Sequence, residues 1–378
     1  MSDSAHPLLP PGTPLLRDGR TALQVGGVDS RDGLLVTPAD ARLHALLRSL
    51  DGRRAQRAVL ADAAQDGLDP AAAAEVLDGL RVAGLLLDLD PADLLSSDAG
   101  PAAVARTAAE LPGALSSDGA GWRARRAAVV VIDGATRVGT PLAAMLAASG
   151  IGRVSIRDTG IVTAGDAVVG GLGAADEGRP RALAAADAVR RVNPLTDLRP
   201  PSATSPADLV VLARAWAASD PLVAEVHRSG VPHLVAAVRG QTGVVGPLVV
   251  PGFTSCLRCA DLHRRDVDPR WPALAAQLTA AEPPPSGATV TCLLTAATAA
   301  LQVLAYLDGT AAPGTLDATI ELGPPDHAPR LRRWTAHPAC GCGAPGADPR
   351  PGSPPTPPGD PDGTPPGTID LRQGTMGR

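Results

Sequence analysis

The chain has 378 residues with 34 basic and 39 acidic side chains, and 44% of it is hydrophobic, which suffices for two or three cores. A net charge of −5, with one Tyr, one Phe and four Trp, excludes both the general phosphate attraction and the aromatic platform of a nucleic-acid binder. Every basic residue is arginine, so no lysine is available to any site.

The N-terminus lacks a basic region followed by an apolar run, so no secretory signal is expected and the location is read as cytoplasmic. Residues 1–90 form a first expected domain. Segments 21–26 and 33–37 read as short strands. Thr37-Pro38-Ala39-Asp40 reads as a helix start, with Thr37 capping and Pro38 in the first turn. Leu43, Leu46, Leu47 and Leu50 follow on one helical face. A second helix is predicted over 54–64 and a third from Asp69-Pro70 to Gly84, closed by a strand over 85–89. Strands with three helices describe a small α+β winged-helix unit, either a structural cap or a binding module.

Residues 91–125 are rich in Ala, Ser, Gly and Asp and read as a linker, with a helix at 102–111. The second domain, 126–343, alternates buried strands with helices. Strands are predicted over 127–132, 153–157, 208–212 and 233–237, and helices over 141–149 and 179–192, the latter stopped by Asn193-Pro194. That order predicts an α/β fold with a doubly wound, mostly parallel, Rossmann-like sheet. The uncharged run 287–307 is rich in Thr and Ala and reads as a buried core helix rather than a membrane span. The tail 344–378 is dense in Pro and Gly and is expected to be disordered.

Two features carry chemistry. Cys256-Leu-Arg-Cys259 and Cys340-Gly-Cys342 are two tight cysteine corners, and four thiolates so arranged make a closed, structural zinc site. His337 either replaces one thiolate or caps beside the site. The second feature follows the first strand of the α/β domain: Gly134-Ala-Thr136-Arg-Val-Gly139 enters a helix, and Asp158 ends the next strand. In an intact fingerprint the glycines admit a phosphate to the helix N-terminus and the acid holds a ribose hydroxyl. Thr136 stands where the middle glycine belongs, so a structural turn and a nucleotide site are both open readings.

Taken in order, these pieces resemble the ThiF/MoeB/HesA family, the adenylating fold of ubiquitin-activating enzymes. They are the degenerate glycine loop, Asp158, Arg190-Arg-Val-Asn193-Pro194, Gly240-Gln-Thr-Gly243, Pro251-Gly252, the CxxC, the apolar helix and the second cysteine pair. The resemblance implies Mg-ATP as cofactor, a ubiquitin-like or peptide carboxylate as partner, and a homodimer. It places Asp158 at the ribose and Arg181 where the family has a phosphate-contacting lysine. The family's metal-binding Asp falls at Ala215 or Trp216, with Asp220 as a substitute a few residues on. Cys292, near a helix N-terminus, is either a thioester-carrying nucleophile or a buried structural thiol.

The N-terminal unit resembles the PqqD-like elements that clamp leader peptides by strand addition. Its fusion to a ThiF-like domain is similar to the leader-binding partner proteins of azole-peptide biosynthesis, which serve a YcaO-type enzyme. Two functions are therefore expected to compete: a degenerate ThiF-like scaffold that presents a peptide, and an active ATP-dependent adenylyltransferase. An NAD-dependent oxidoreductase lacks a proton-donor constellation.

Overall fold

The computed structural model describes residues 5–19, 21–27, 33–89, 110, 120–214, 220–280, 287–345, 367–370 and 375–377. They fall into two compact units, Met1–Trp122 with Pro354–Arg378, and Arg123–Ser353.

The first unit contains β1 (His6–Leu8), β2 (Leu15–Asp18), β3 (Ala22–Val25), β4 (Leu34–Thr37), α1 (Ala41–Arg48), α2 (Gln56–Gln65), α3 (Pro70–Val82) and β5 (Leu87–Leu89). Strands β2, β3 and β4 form an antiparallel meander, while β1 pairs antiparallel with β5 as a separate ribbon. The inward residues of β3 and β4, Leu23, Val25, Leu34 and Val36, meet Leu43, Leu46 and Leu47 of α1 and Val76, Leu77 and Leu80 of α3. Alternation in the strands and i, i+3, i+4 spacing in the helices select these contacts.

The first helix starts later than predicted. Asp40, not Thr37, is its N-cap, and its carboxylate accepts from the N–H groups of Arg42 and Leu43. Thr37 is the last residue of β4, so Pro38 and Ala39 precede the helix. In the third helix Asp69 caps and Pro70 opens the first turn, as predicted. The helix expected over 102–111 lies outside the described residues. The end of the predicted linker is instead α4 (Ala120–Ala127), whose Trp122 is buried with Leu8 and Leu89. Within the tail expected to lack order, β13 (Gly367–Asp370) and β14 (Thr375–Gly377) are strands, and β13 runs parallel to β4.

The second unit is a mixed α/β layer structure. Its elements are β6 (Val129–Asp133), α5 (Gly139–Ala148), β7 (Arg153–Arg157), α6 (Arg181–Val192), β8 (Leu209–Leu212), α7 (Pro221–Arg228), β9 (His233–Arg239) and β10 (Thr242–Val249), followed by α8 (Leu257–Val267), α9 (Trp271–Ala280), α10 (Thr289–Asp308), β11 (Ala318–Leu322) and β12 (Arg330–Arg333). The strand order is β12-β11-β10-β9-β8-β6-β7. The block β9-β8-β6-β7 is parallel; β10, β11 and β12 add antiparallel strands at one side. The sheet is thus parallel-rich but mixed, because β9 and β10 are joined by a tight hairpin at Gly240, which forces an antiparallel pair.

Both faces of the sheet are covered, as doubly wound sheets require. Val130 and Ile132 face α5 and α10, while their neighbour Val131 faces the layer of Val223, Val226 and Leu257 on α7 and α8. Among the described residues α10 is the one helix long and apolar enough to cross a bilayer. Here Cys292, Ala296, Ala299, Ala300 and Val303 of this helix are core residues against the sheet.

Candidate functional site: a four-cysteine corner and a closed glycine loop

Cys256 is the residue before α8, and Cys259 lies in that helix's first turn, so both thiols point out of one corner. The second pair arrives after β12 through Trp334, whose indole N–H donates to Thr319 and whose carbonyl accepts from the Ser255 hydroxyl. These bonds hold the two chain segments together beside the cysteines. The four Sγ atoms lie within 4.8 Å of one another. Separations are 3.8 Å for Cys256–Cys259 and 3.6 Å for both Cys256–Cys340 and Cys259–Cys342.

A tetrahedral zinc with Zn–S bonds of about 2.3 Å needs sulfurs about 3.8 Å apart. A disulfide needs about 2.05 Å, and all the cysteines are free thiols. The donor set therefore fits a closed zinc site. A hydrogen bond from the Cys256 thiol holds Cys259 down to about 4, and giving that bond pushes Cys256 up. Burial pushes Cys340 up to about 11. Metal entry must displace the protons of Cys256 and Cys340.

His337 is fixed in the adjoining turn rather than aimed at the sulfurs. Its Nδ1 accepts from the Ala339 N–H and its Nε2 donates to Asp266, 2.7 Å away. The capping alternative for this histidine is the one its bonds support.

The glycine loop sits at the carboxyl ends of β6 and β8, where open α/β sheets bind ligands. Gly134 takes φ +114°, and a Cβ on Gly139 would come within 2.0 Å of the Gly134 carbonyl. These two glycines are thus required by the turn itself. Thr136 ties the turn together with its own side chain. Its hydroxyl donates to the Ala213 carbonyl at 2.8 Å and accepts from the N–H groups of Val138 (3.3 Å) and Gly139 (3.0 Å). The entrance of α5 is therefore capped from within.

Asp158 stands where predicted, at the end of β7. Its carboxylate accepts from the Ala135 N–H (2.8 Å) and the Gly160 N–H (2.7 Å), which leaves it further acceptor capacity. Arg181 lies 3.9 Å from Asp158 and 3.4 Å from Asp166, nearly buried between two carboxylates. Gly134, Thr136, Gly139, Asp158 and Arg181 are thus brought to one end of the sheet, while the cysteines form a separate corner.

One charged residue at this end escaped the sequence reading. Arg214, just past β8, donates to Asp133 at 2.6 Å and to Asp220 at 3.1 Å. Burial pushes the Asp133 carboxyl up, and Arg214 opposes that rise. Asp220 also caps α7 through the Leu222 N–H. The signal was available: an acid at the last position of one strand and an arginine two residues beyond its neighbour. Ala215 and Trp216 lie outside the described residues. Cys292 is fully buried, its thiol donates to the Gly287 carbonyl, and burial pushes it up.

A parallel-rich sheet with a glycine turn at its carboxyl end and a four-cysteine corner defines a mixed α/β protein of the Rossmann-like class. The chain belongs to the ThiF family, whose description matches residues 116–342. Among solved structures it is similar to Escherichia coli MccB with ATP, at 17% identity and a TM-score of 0.56, covering 89% of this chain and 99% of that one. The microcin C7 biosynthetic enzyme MccB in complex with N-formylated MccA gives the same values. PaaA is similar at 18% identity and a TM-score of 0.53, over 68% of this chain and 90% of PaaA. At such identities the likeness speaks for the fold alone. No curated protein sequence matches the chain significantly.

Proposed function

We propose that this protein is a zinc-stabilised, catalytically degenerate ThiF-family scaffold that binds a peptide and presents it to a separate modifying enzyme, of the YcaO type by the resemblance of its layout. The observation that carries the reading is the capping of α5 by Thr136. The N–H groups that would receive a phosphate are engaged by this chain's own hydroxyl. The Arg214 bridge adds to it, because Asp220 is occupied as cap and ion-pair partner instead of standing open to a magnesium ion. Adenylation needs cations on the developing phosphate charge, and each missing donor of that kind removes about 3 kcal/mol of transition-state stabilisation.

Peptide binding is supported by the likeness to MccB, which has been solved with N-formylated MccA. The first unit, with its meander and three helices, is the PqqD-like clamp in this reading, and assembly is as a homodimer. The competing reading, an active adenylyltransferase acting on a peptide or ubiquitin-like C-terminus, draws on family membership and on the acceptor capacity left at Asp158.

Calorimetric titration of Mg-ATP into the zinc-loaded protein separates the two. No heat up to millimolar nucleotide is expected of the scaffold. Micromolar binding, together with ATP–pyrophosphate exchange in the presence of a peptide, would establish the enzyme instead.

A further inference from the structure

The meander β2-β3-β4 ends on β4, and the outer edge of such a strand carries N–H and C=O groups that a further strand can pair. In this protein the chain's own C-terminus takes that edge. β13 lies parallel to β4 with Gly367 opposite Leu34 and Asp370 opposite Thr37, and β14 returns antiparallel on β13. The tail's sequence shows why this stretch is suited to pairing. After Gly343 its large apolar residues are Ile369, Leu371 and Met376, all close to or within the two strands. Pro365 and Pro366 stand immediately before β13, and without N–H groups they cannot carry the ladder further.

In the peptide-clamp reading a sheet edge accepts an extended peptide; we infer that residues 367–370 are a tethered resident of the outer edge of β4, which an incoming peptide displaces. The inference rests on the peptide-presenting reading for the incomer, though not for the resident. The resident is built to yield. It offers four register pairs in the parallel sense, which is the weaker pairing per residue, and short ribbons of this kind are marginal alone. Its attachment to the same chain supplies a high local concentration, so a weak strand still covers the edge. Covering the edge prevents two copies from pairing edge to edge, while a peptide with a longer or better-matched strand outcompetes the tail.

The test uses a fluorescein-labelled peptide of residues 363–378 with three chains: the full-length protein, the protein ending at Ser353, and full-length Ile369→Pro. The proline removes one N–H from the middle of the strand and the Ile369 side chain, while the rest of the chain is kept. The shortened chain and the proline variant are expected to bind the peptide at least tenfold more tightly than the full-length protein, in which the tethered copy competes. Amide hydrogen exchange over Leu34–Thr37 should be slow in the full-length protein, faster in both variants, and slow again once peptide is added. Equal peptide binding by all three chains, or equal exchange over Leu34–Thr37, overturns the inference. The two proposals fail separately. An edge that behaves as described in a protein that also binds Mg-ATP refutes the scaffold alone. An unresponsive edge in a protein that ignores Mg-ATP refutes the resident strand alone.

Discussion

At the residue scale, single side chains decide whether each corner is open or closed. Cys259 is fully buried within a set of four sulfurs, so Cys259→Ser leaves three thiolates around the metal. It is expected to abolish stoichiometric zinc in the purified protein and to lower the melting temperature by at least 10 °C. Metal analysis and a thermal melt check both. Thr136 makes the opposite kind of case. Thr136→Gly combined with Arg214→Ala removes the internal cap and the bridge, and is expected to raise Mg-ATP affinity at least tenfold over the parent in the same calorimetric titration. His233 lies behind the cysteine corner, with Nδ1 donating to the Val231 carbonyl and burial pushing it down to about 4. Because the folded value lies below the unfolded value of about 6.5, the unfolded chain binds more protons between the two. Stability should therefore fall as pH drops from about 6.5 to about 4, by up to about 3 kcal/mol, and change no further on this account below that. Urea unfolding of the parent and of His233→Gln across that range isolates the effect, since zinc release is common to both.

At the scale of elements, the ends of the second unit are tied by one buried ion pair. Arg125 near the end of α4 donates to both carboxylate oxygens of Asp308, the last residue of α10, and both side chains are about 5% exposed or less. An acid at a helix C-terminus opposes the helix dipole, so Arg125 offsets an unfavourable placement as well as a buried charge. Asp308→Ala strands that guanidinium and is expected to cost about 3–5 kcal/mol in chemical denaturation. In the first unit, Leu47 of α1 is fully buried between β3, β4 and α3, and Leu47→Ala should cost about 2–5 kcal/mol. The helices were legible in the sequence because Asp69-Pro70 and the leucine spacing of α1 state their start and face locally. The strands β1, β2, β10, β11 and β12 were not. β10 is buried at nearly every position and β12 exposed at every position, so no alternation marks either, and the others are short. They exist as strands because a neighbour's edge is there to pair them.

At the scale of the whole molecule, the α/β class was readable from the strand–helix alternation. The four cysteines were readable from their spacing, since a metal site fixes ligand type and local separation in the chain itself. The state of the glycine loop was only half readable. Thr136 announced a departure, but that its hydroxyl would serve the Val138 and Gly139 amides depends on the path of the loop, which β8 and Ala213 determine. Arg214, Asp133 and Asp220 come together from distant points of the chain, and no local pattern records that meeting. The two cysteine pairs have one more consequence. They stand at opposite ends of a segment that holds α8, α9, α10, β11 and β12, so an ion held by all four would be a removable cross-link across a large part of the second unit. An ion that binds the folded chain and not the unfolded one shifts the folding equilibrium by about 1.4 kcal/mol for each tenfold change in its free concentration. With zinc as that ion, the folded fraction of the protein would become a readout of zinc supply without a change in the polypeptide itself.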